Sequence, residues 1–375
     1  MTRVIITGVS TRGLTESAAR AGYEVVAIDG FGDLDLRVHA RTVHVARVDG
    51  RFSIPTALAA AREVRRDVTC YVASFENHPK AVEALADACT LWGNAPAVLT
   101  RVRDPEQLAR VLAARGLPTP AVRRAAPPRN AGRRWLVKPR ASGGGSGIVA
   151  WRPGGRIPRG SYLQERVVGV PGSVVFAADG RKMVPLGVSR GLAGHPNFGA
   201  TGFKYCGSVL LDPEEPLFSR ACRLAAAITA EFGLVGVNGV DFVAAHGVPF
   251  AIEVNPRYTA SMELVERAYG ISIFETHARA CAGSLPEFSV PRHELETWGK
   301  AVVYARRGVT PSDTERWLAD PDLRDVPIAG EPIAPGHPIC TIFTRERDPE
   351  HCLVALARRA AGLYRTLERR EARTA

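Results

Sequence analysis

The chain has 375 residues, 46% of them apolar, and a formal charge of +11. That length exceeds what one compact core holds and points to two or three lobes. No apolar run approaches the roughly 18 residues of a membrane span, and seven scattered cysteines without a Cys-x-x-Cys pair argue against a disulfide framework or a structural zinc site.

The basic residues are dispersed along the chain rather than gathered on one helix among aromatics. This argues against a nucleic-acid partner and leaves arginines on solvated faces, some able to draw in anionic substrates. A soluble, cytoplasmic protein with neither membrane nor nucleic-acid partners is the expectation.

Residues 1–95 alternate strand and helix. Val4–Gly8, Glu24–Asp29, Thr42–Val48 and Val68–Phe75 read as strands, with helical stretches Thr15–Arg20, Pro55–Arg66 and Pro79–Cys89 between them. The pattern predicts a parallel, doubly wound sheet. Gly8-Val-Ser-Thr-Arg-Gly13 is half a dinucleotide fingerprint, with Asp29 near the position of a ribose acid. Its middle glycine is replaced by Ser10, so this lobe is read as one that positions a substrate or packs beneath a catalytic lobe.

Asp104-Pro-Glu-Gln107 then opens a helix. Asp104 is a good N-cap, Pro105 fits the first turn, Gln107 completes a capping box, and Gly116 ends the helix. Leu117–Pro120 and the Pro127-Pro128 pair read as an exposed linker. In Trp135–Gly147 a strand ends in Lys138 and runs into Ser142-Gly143-Gly144-Gly145-Ser146-Gly147. Glycines let successive N–H groups face an anion, and the lysine adds a mobile point charge, so the segment reads as a flap over phosphates. It is not a Walker loop, because the lysine precedes the glycines; a plain flexible linker is the alternative.

Ser161–Val168 is a further strand whose main chain could meet an adenine edge. Residues 182–211 are glycine-rich, and such loops often carry substrate contacts; His195, Lys204 and Tyr205 are the candidates. A helix from Pro216 to Phe232, closed by Gly233, leads to Asn238-Gly-Val-Asp-Phe-Val and Ile252-Glu-Val-Asn-Pro-Arg257. These two segments read as a hairpin turning at His246-Gly247. Alternation puts Glu253 and Asn255 on one face, with Asp241 nearly opposite Glu253 and Arg257 one step on. Two carboxylates and an amide oxygen suit Mg²⁺, which fills its remaining positions with water and phosphate oxygens. Ordinary surface acids on a half-exposed hairpin are the alternative. Beyond it, Tyr258–Tyr269 and Ile271–Ala282 look helical. Short strands follow at Lys300–Tyr304, Gly330–Gly336 and His337–Phe343, and a basic helix runs from Asp348 to Arg369.

Lys138, the glycine flap, the Glu165 strand, Asp241 and Glu253-Val-Asn-Pro-Arg257, in this order and with the two acids twelve residues apart, resemble the ATP-grasp superfamily over about residues 95–290. The continuation Asn-Pro-Arg-Tyr-Thr-Ala-Ser261 is similar to its carboxylate–amine ligase branch. The resemblance implies an α/β ATP-grasp fold: a Rossmann-like front lobe (1–95), a lid (96–175), an α+β catalytic lobe (176–290) and a small, mainly β extension with a terminal helix (291–375). It implies that ATP is held by Arg103, Lys138, Ser142, Gly143, Gly144, Gly145, Ser146 and Gly147. Gln164, Glu165, Arg166 and Val167 would border the adenine.

The same resemblance gives Mg²⁺, with Mn²⁺ as a substitute, to Asp241, Glu253 and Asn255. Lys138 and Arg257 become the catalytic cations, and Tyr258 joins His195, Lys204 and Tyr205 as a substrate contact. Arg103 stands where the family often has a second lysine, and the usual acid after the adenine strand is missing from Val168-Gly-Val-Pro-Gly172. The implied reaction phosphorylates a small carboxylate and couples it to an amine, such as an amino acid in cofactor or small-metabolite synthesis, and a homodimer is implied. Two alternatives stay open: a carboxylase working through carboxyphosphate, suggested by Pro332–Cys340, and a non-catalytic nucleotide-binding module.

Overall fold

The computed structural model describes residues 2–127, 134–291 and 296–374, with side chains through residue 368. Pro128 of the expected linker lies outside the described residues.

The front lobe holds β1 (Arg3–Thr7), β2 (Glu24–Asp29), β3 (Thr42–Val45), a small ribbon of β4 (Arg47–Val48) and β5 (Arg51–Phe52), then β6 (Val68–Tyr71) and β7 (Thr90–Trp92). Five of these form a parallel sheet in the order β3-β2-β1-β6-β7. Its strands are apolar without alternation because both faces are covered. Val4 and Ile6 pack with Leu14 and Ala18 of α1 (Arg12–Arg20), whereas Ile5 packs with Ala57 and Ala61 of α3 (Ile54–Glu63) and Val82 and Leu85 of α4 (Pro79–Ala86). The short α2 (Leu34–His39) follows β2. β6 stops at Tyr71, and the expected continuation to Phe75 is instead a turn leading into a 3₁₀ segment, Phe75–Asn77.

α5 (Pro96–Val102) and α6 (Pro105–Ala114) lead out of this lobe. Asp104 caps α6 as its sequence predicts, accepting from the N–H groups of Glu106 and Gln107 at 2.8 and 3.1 Å. The segment after Gly116 is loop but not free of the body, since Leu117 packs toward the core beneath the main sheet. A four-stranded sheet follows, in the order β10-β9-β11-β8: β8 (Val122–Arg123), β9 (Trp135–Pro139), β10 (Val149–Ala150) and β11 (Ser161–Glu165). Trp135, Val137 and Leu163 make its own small core.

The largest element is an antiparallel sheet of eight strands: β12 (Val170–Asp179), β13 (Met183–Ala193), β14 (Tyr205–Leu210), β15 (Val235–Ala245), β16 (Val248–Asn255), β17 (Thr297–Tyr304), β18 (Leu323–Arg324) and β19 (Pro338–Glu346). Their order is β16-β15-β12-β13-β14-β17-β19-β18. Along β12, Val174, Phe176 and Ala178 pack against α7 (Pro216–Phe232), while Val175 and Ala177 join the core that contains α8 (Met262–Tyr269), α9 (Ile273–Cys281) and the front lobe. Met262, Leu264 and Phe274 share that core with Leu14 and Val4, so front lobe and main sheet are glued by one apolar layer. The terminal α10 (Pro349–Thr374) covers β17 and β19.

Three expectations need revision. Gly330–Gly336 is not a strand; only Ile333 bridges Val309, because Pro332 and Pro335 have no N–H to give a ladder. Tyr258–Ser261 is turn, and α8 begins at Met262. The strands beyond residue 291 do not stand apart, since β17 pairs directly with β14 and extends the same sheet, and the expected boundary at 175/176 falls inside β12. All seven cysteines are free thiols. No helix among the described residues is long and apolar enough to cross a membrane.

His277 of α9 pins the start of β15: its Nδ1 accepts from the Val237 N–H at 3.0 Å and its Nε2 lies 3.2 Å from the Trp92 carbonyl. That pairing needs a neutral ring, and burial pushes its pKa down to about 4. The folded pKa thus lies below the unfolded value of about 6.5. The unfolded chain binds more protons between these limits, so stability falls as pH drops through that window. Between pH 7 and pH 5 this site alone should remove about 2 kcal/mol. Urea unfolding of the wild type against His277→Gln, which cannot take up this proton, measures the difference.

Candidate active site

The hairpin β15–β16 turns through His246 and Gly247, both with positive φ (50° and 73°), the two-residue turn that matches strand twist. Asp241 pairs directly with Glu253, and Gly239 with Asn255. The next pair is Phe242 with Ala251, so Ile252 is the extra residue of a bulge. Its carbonyl, released from the ladder, accepts from Lys138 Nζ at 3.4 Å and Gln164 Nε2 at 3.2 Å. The bulge thereby ties the hairpin to the small sheet above it.

Around the two acids the polar contacts are dense. Arg103, at the junction of α5 and α6, donates from Nη1 to Glu253 Oε1 at 2.5 Å and to the Val254 carbonyl at 2.9 Å. Its Nη2 reaches Asn77 Oδ1 and the Ser142 carbonyl. Lys138, buried at the end of β9, donates to Gln164 Oε1 at 3.1 Å. Asn255 Nδ2 donates to Asp241 Oδ2 at 2.8 Å, and Asn255 Oδ1 accepts from Arg257 Nη2 at 3.1 Å. Arg257 also binds the buried Glu76 through Nε and Nη2, at 3.0 and 2.7 Å.

The charges separate the two hairpin acids. Burial, then the neighbouring Glu253 charge, pushes the Asp241 carboxyl up. Burial would push Glu253 up as well, but Arg103 and Lys138 outweigh it and hold Glu253 below its ordinary value. Lys138 is itself pushed down by burial, against the pull of Glu253 and Asp241. A buried lysine beside two carboxylates is a point charge aimed at a small volume.

The glycine flap lies over this cluster. Tyr205 N–H donates to the Gly144 carbonyl at 3.0 Å, fastening the flap to the start of β14. Gly145 has φ +79° and sits against the Phe203 carbonyl, where any Cβ would overlap it. The flap tip therefore docks only because it lacks side chains.

Hairpin, flap, small sheet and front lobe enclose one cleft of 1070 Å³. Among the expected residues, Lys138, Gly144, Gly145, Gln164, Glu165, Arg166, Val167, Tyr205, Asp241, Glu253, Asn255, Arg257 and Tyr258 line it. Arg103 and Ser142 join through the hydrogen bonds above, while Gly143, Ser146 and Gly147 belong to the flap without lining the cleft. Leu136, Ile148 and Ile252 give the cleft an apolar stretch beside Gln164–Val167. In that segment the Glu165 and Arg166 N–H groups donate to the carbonyls of Ala121 and Arg134.

Two expected substrate contacts fall elsewhere. His195 is not in the cleft wall: it caps the short 3₁₀ turn Pro196–Phe198, Nδ1 accepting from the Asn197 N–H, and packs on Phe198. Lys204 points across to the Gly336 carbonyl at 2.7 Å and lies over the Tyr304 ring. Asp29 is no ribose ligand either, because its buried carboxylate already accepts from Thr11, Phe31 and Gly32. Sequence reading missed Glu76 and Asn77, which bring front-lobe contacts to Arg257 and Arg103. They follow the carboxyl end of β6, where ligand contacts in parallel sheets collect.

Comparison with known proteins agrees with this architecture. Residues 102–261 match the family model described as ATP-grasp domain. A 71-residue stretch is 37% identical to the carbamoyl phosphate synthase large chain of Neisseria meningitidis, covering 19% of this chain and only 7% of that protein. Among solved structures, the N5-carboxyaminoimidazole ribonucleotide synthetase of Thermotoga maritima superposes with a TM-score of 0.69 at 19% identity, over 96% of this chain and 98% of that one. The L-amino acid ligase of Bacillus licheniformis gives 0.69 at 16% identity, over 96% and 97%. The chain therefore shares the fold of these structures, and its residues 102–261 match the ATP-grasp domain model.

Arg257 and Glu76 form a pair that is nearly dry, with side chains 10% and 1% exposed. Glu76→Gln keeps the volume and removes the charge, which should lower the unfolding free energy by about 3 kcal/mol, the usual cost of breaking a buried pair from one side. Urea unfolding near neutral pH reads this directly.

Proposed function

We propose that the protein is an ATP- and Mg²⁺-dependent ligase that activates a small carboxylate as an acyl phosphate and couples it to an amine. The observation that carries this reading is the Asp241–Glu253 cross-strand pair, with Arg103 and Lys138 beside it and a glycine flap above.

The donor set fits a hard divalent cation. Two carboxylates face each other, and a half-turn of the Asn255 amide would bring Oδ1 toward them in place of Nδ2. Mg²⁺ takes one or two carboxylates and keeps positions for phosphate oxygens and water; bound there, it would neutralise charge on the transferring group. Asp241, Glu253 and Asn255 would hold it, with Mn²⁺ as a substitute. Lys138 would hold phosphate oxygens of ATP, with Arg103 and the flap N–H groups of Ser142–Gly147 beside it. Leu136, Ile148 and Ile252 offer an apolar bed for adenine, bordered by Gln164–Val167.

The reaction then follows from charge and geometry. A carboxylate merely neutralises an amine as a salt, so it first has to gain a leaving group. The γ-phosphoryl group passes from ADP oxygen to carboxylate oxygen, giving an acyl phosphate and ADP. Positioning and charge neutralisation dominate that step, and Arg257 at the hairpin's end faces the group in transit. The amine nitrogen then attacks the acyl carbon, the C–O bond to phosphate breaks, and nitrogen loses a proton, leaving amide and inorganic phosphate. A closed flap keeps water from the intermediate.

A second reading makes bicarbonate the activated acid, and the 37% likeness to a stretch of carbamoyl phosphate synthase favours keeping it. Under it, turnover requires bicarbonate and survives without any organic acid.

ADP release across a matrix of organic carboxylates and amines, in bicarbonate-free buffer with Mg²⁺, separates the two. The ligase reading expects ADP and phosphate in equal amounts only when one acid and one amine are both present. Absence of ADP throughout that bicarbonate-free matrix would falsify it, and ADP that appears only on adding bicarbonate selects the second reading. Asp241→Asn should lower kcat by about 100-fold or more while leaving the melting temperature near that of wild type. Gly145→Ala, which pushes the flap tip off Phe203, should raise KM for ATP about tenfold with little change in stability.

A further inference from the structure

The cleft continues past Arg257 to an acidic wall that ATP and its metal do not use. Tyr258 follows Arg257 directly, and a Cβ at Gly13 would stand 2.6 Å from its hydroxyl, so this end of the site abuts Arg12 and Gly13 at the start of α1. Five carboxylates converge here: Glu16, Asp33, Asp35, Glu263 and Asp325.

Four of the five are answered. Arg12, 2% exposed, pairs with Glu16, Asp35, Glu263 and Asp325. Lys300 Nζ adds a bond to Glu263 at 2.8 Å, Thr341 donates to Asp325, and the N–H groups of Asp325 and Val326 donate to Asp35. Asp33 is the exception. Its residue is 8% exposed, it lines the cleft, and among the described residues its carboxylate has neither a hydrogen bond nor an ion pair. An aspartate at the N-cap normally accepts from the first-turn N–H groups; Asp33 holds the N-cap position of α2 and makes no such bond. A carboxylate held out of water without a partner is costly, and a cation that reaches it recovers that cost.

The wall also discriminates among cations. Arg12 and Lys300 already pair with Glu16, Asp35, Glu263 and Asp325, so the charge left without a partner is the single one of Asp33, which one ammonium group matches. We propose that Asp33 receives the primary ammonium group of a co-substrate, with Arg12 and Asp325 fixing the wall behind it. The inference rests on the ligase reading above and names the substrate chemistry of its far end. Two molecules could supply that group: the amine to be acylated, or an amino acid whose own carboxylate is activated.

The test uses the full chain with Mg²⁺ and ADP and ligand-observed NMR titration. One arm holds a homologous series of primary amines against the matching alcohols; the other holds the common amino acids against their N-acetyl forms. At least one ammonium ligand should bind wild type while its neutral counterpart does not, and the arm in which it appears identifies the source. Asp33→Asn should weaken that ligand about tenfold and Asp33→Glu should weaken it less, both variants keeping the wild-type affinity for Mg-ADP as evidence of folding. Equal binding of charged and neutral members in both arms, or unchanged affinity in Asp33→Asn, overturns the proposal while leaving the ligase reading intact. Failure of wild type to bind Mg-ADP at all removes the ligase reading, and this inference with it.

Discussion

Two carboxylates directly opposite each other on neighbouring strands repel, and burial makes the repulsion worse. The Asp241–Glu253 pair is in that position, and much of the surrounding structure answers it. Arg103 arrives from the α5–α6 junction and Lys138 from the small sheet, and Asn255 donates to Asp241 within the hairpin itself. Arg103 and Lys138 both come from outside the hairpin. The site is therefore a product of how three parts of the chain pack, and it would not survive their separation.

That dependence explains the tight joint between front lobe and main sheet. Leu14, Ala18, Met262, Leu264 and Phe274 occupy one apolar layer, and the polar groups crossing it are not decorative. Asn94 of the front lobe donates to Asn238 Oδ1 and the Pro256 carbonyl, and Glu76 takes both ends of the Arg257 contact. Arg12 reaches across to Glu263 and Asp325. A half-fingerprint lobe that binds no dinucleotide through Asp29 thus serves as the back wall of another lobe's cleft.

Much of this could be read from residues in order. The hairpin was legible because period-two alternation and a His-Gly turn fix which side chains share a face. The glycine flap was legible from composition, and the α6 N-cap from Asp104 alone. Gly330–Gly336 is not a strand because its two prolines remove N–H groups that a ladder needs. His195 was misread because a glycine-rich loop suggests substrate contact, yet its ring is used locally as a cap. Glu76, Arg12 and Asp33 escaped notice for a different reason. Each is an unremarkable charge after a strand, and only the packing of distant segments gives it a role. Their position past the carboxyl ends of β6, β1 and β2 was the one available sign.

The bond from Tyr205 to the Gly144 carbonyl belongs equally to the flap and to the strand that opens the β14 wall. Neither side can move away without the other losing a partner, so the cover and the wall share one equilibrium. A molecule that orders the wall must favour the covered state, and one that favours the covered state must order the wall by the same free energy. Two ligands held on opposite sides of that bond would consequently sense each other without touching.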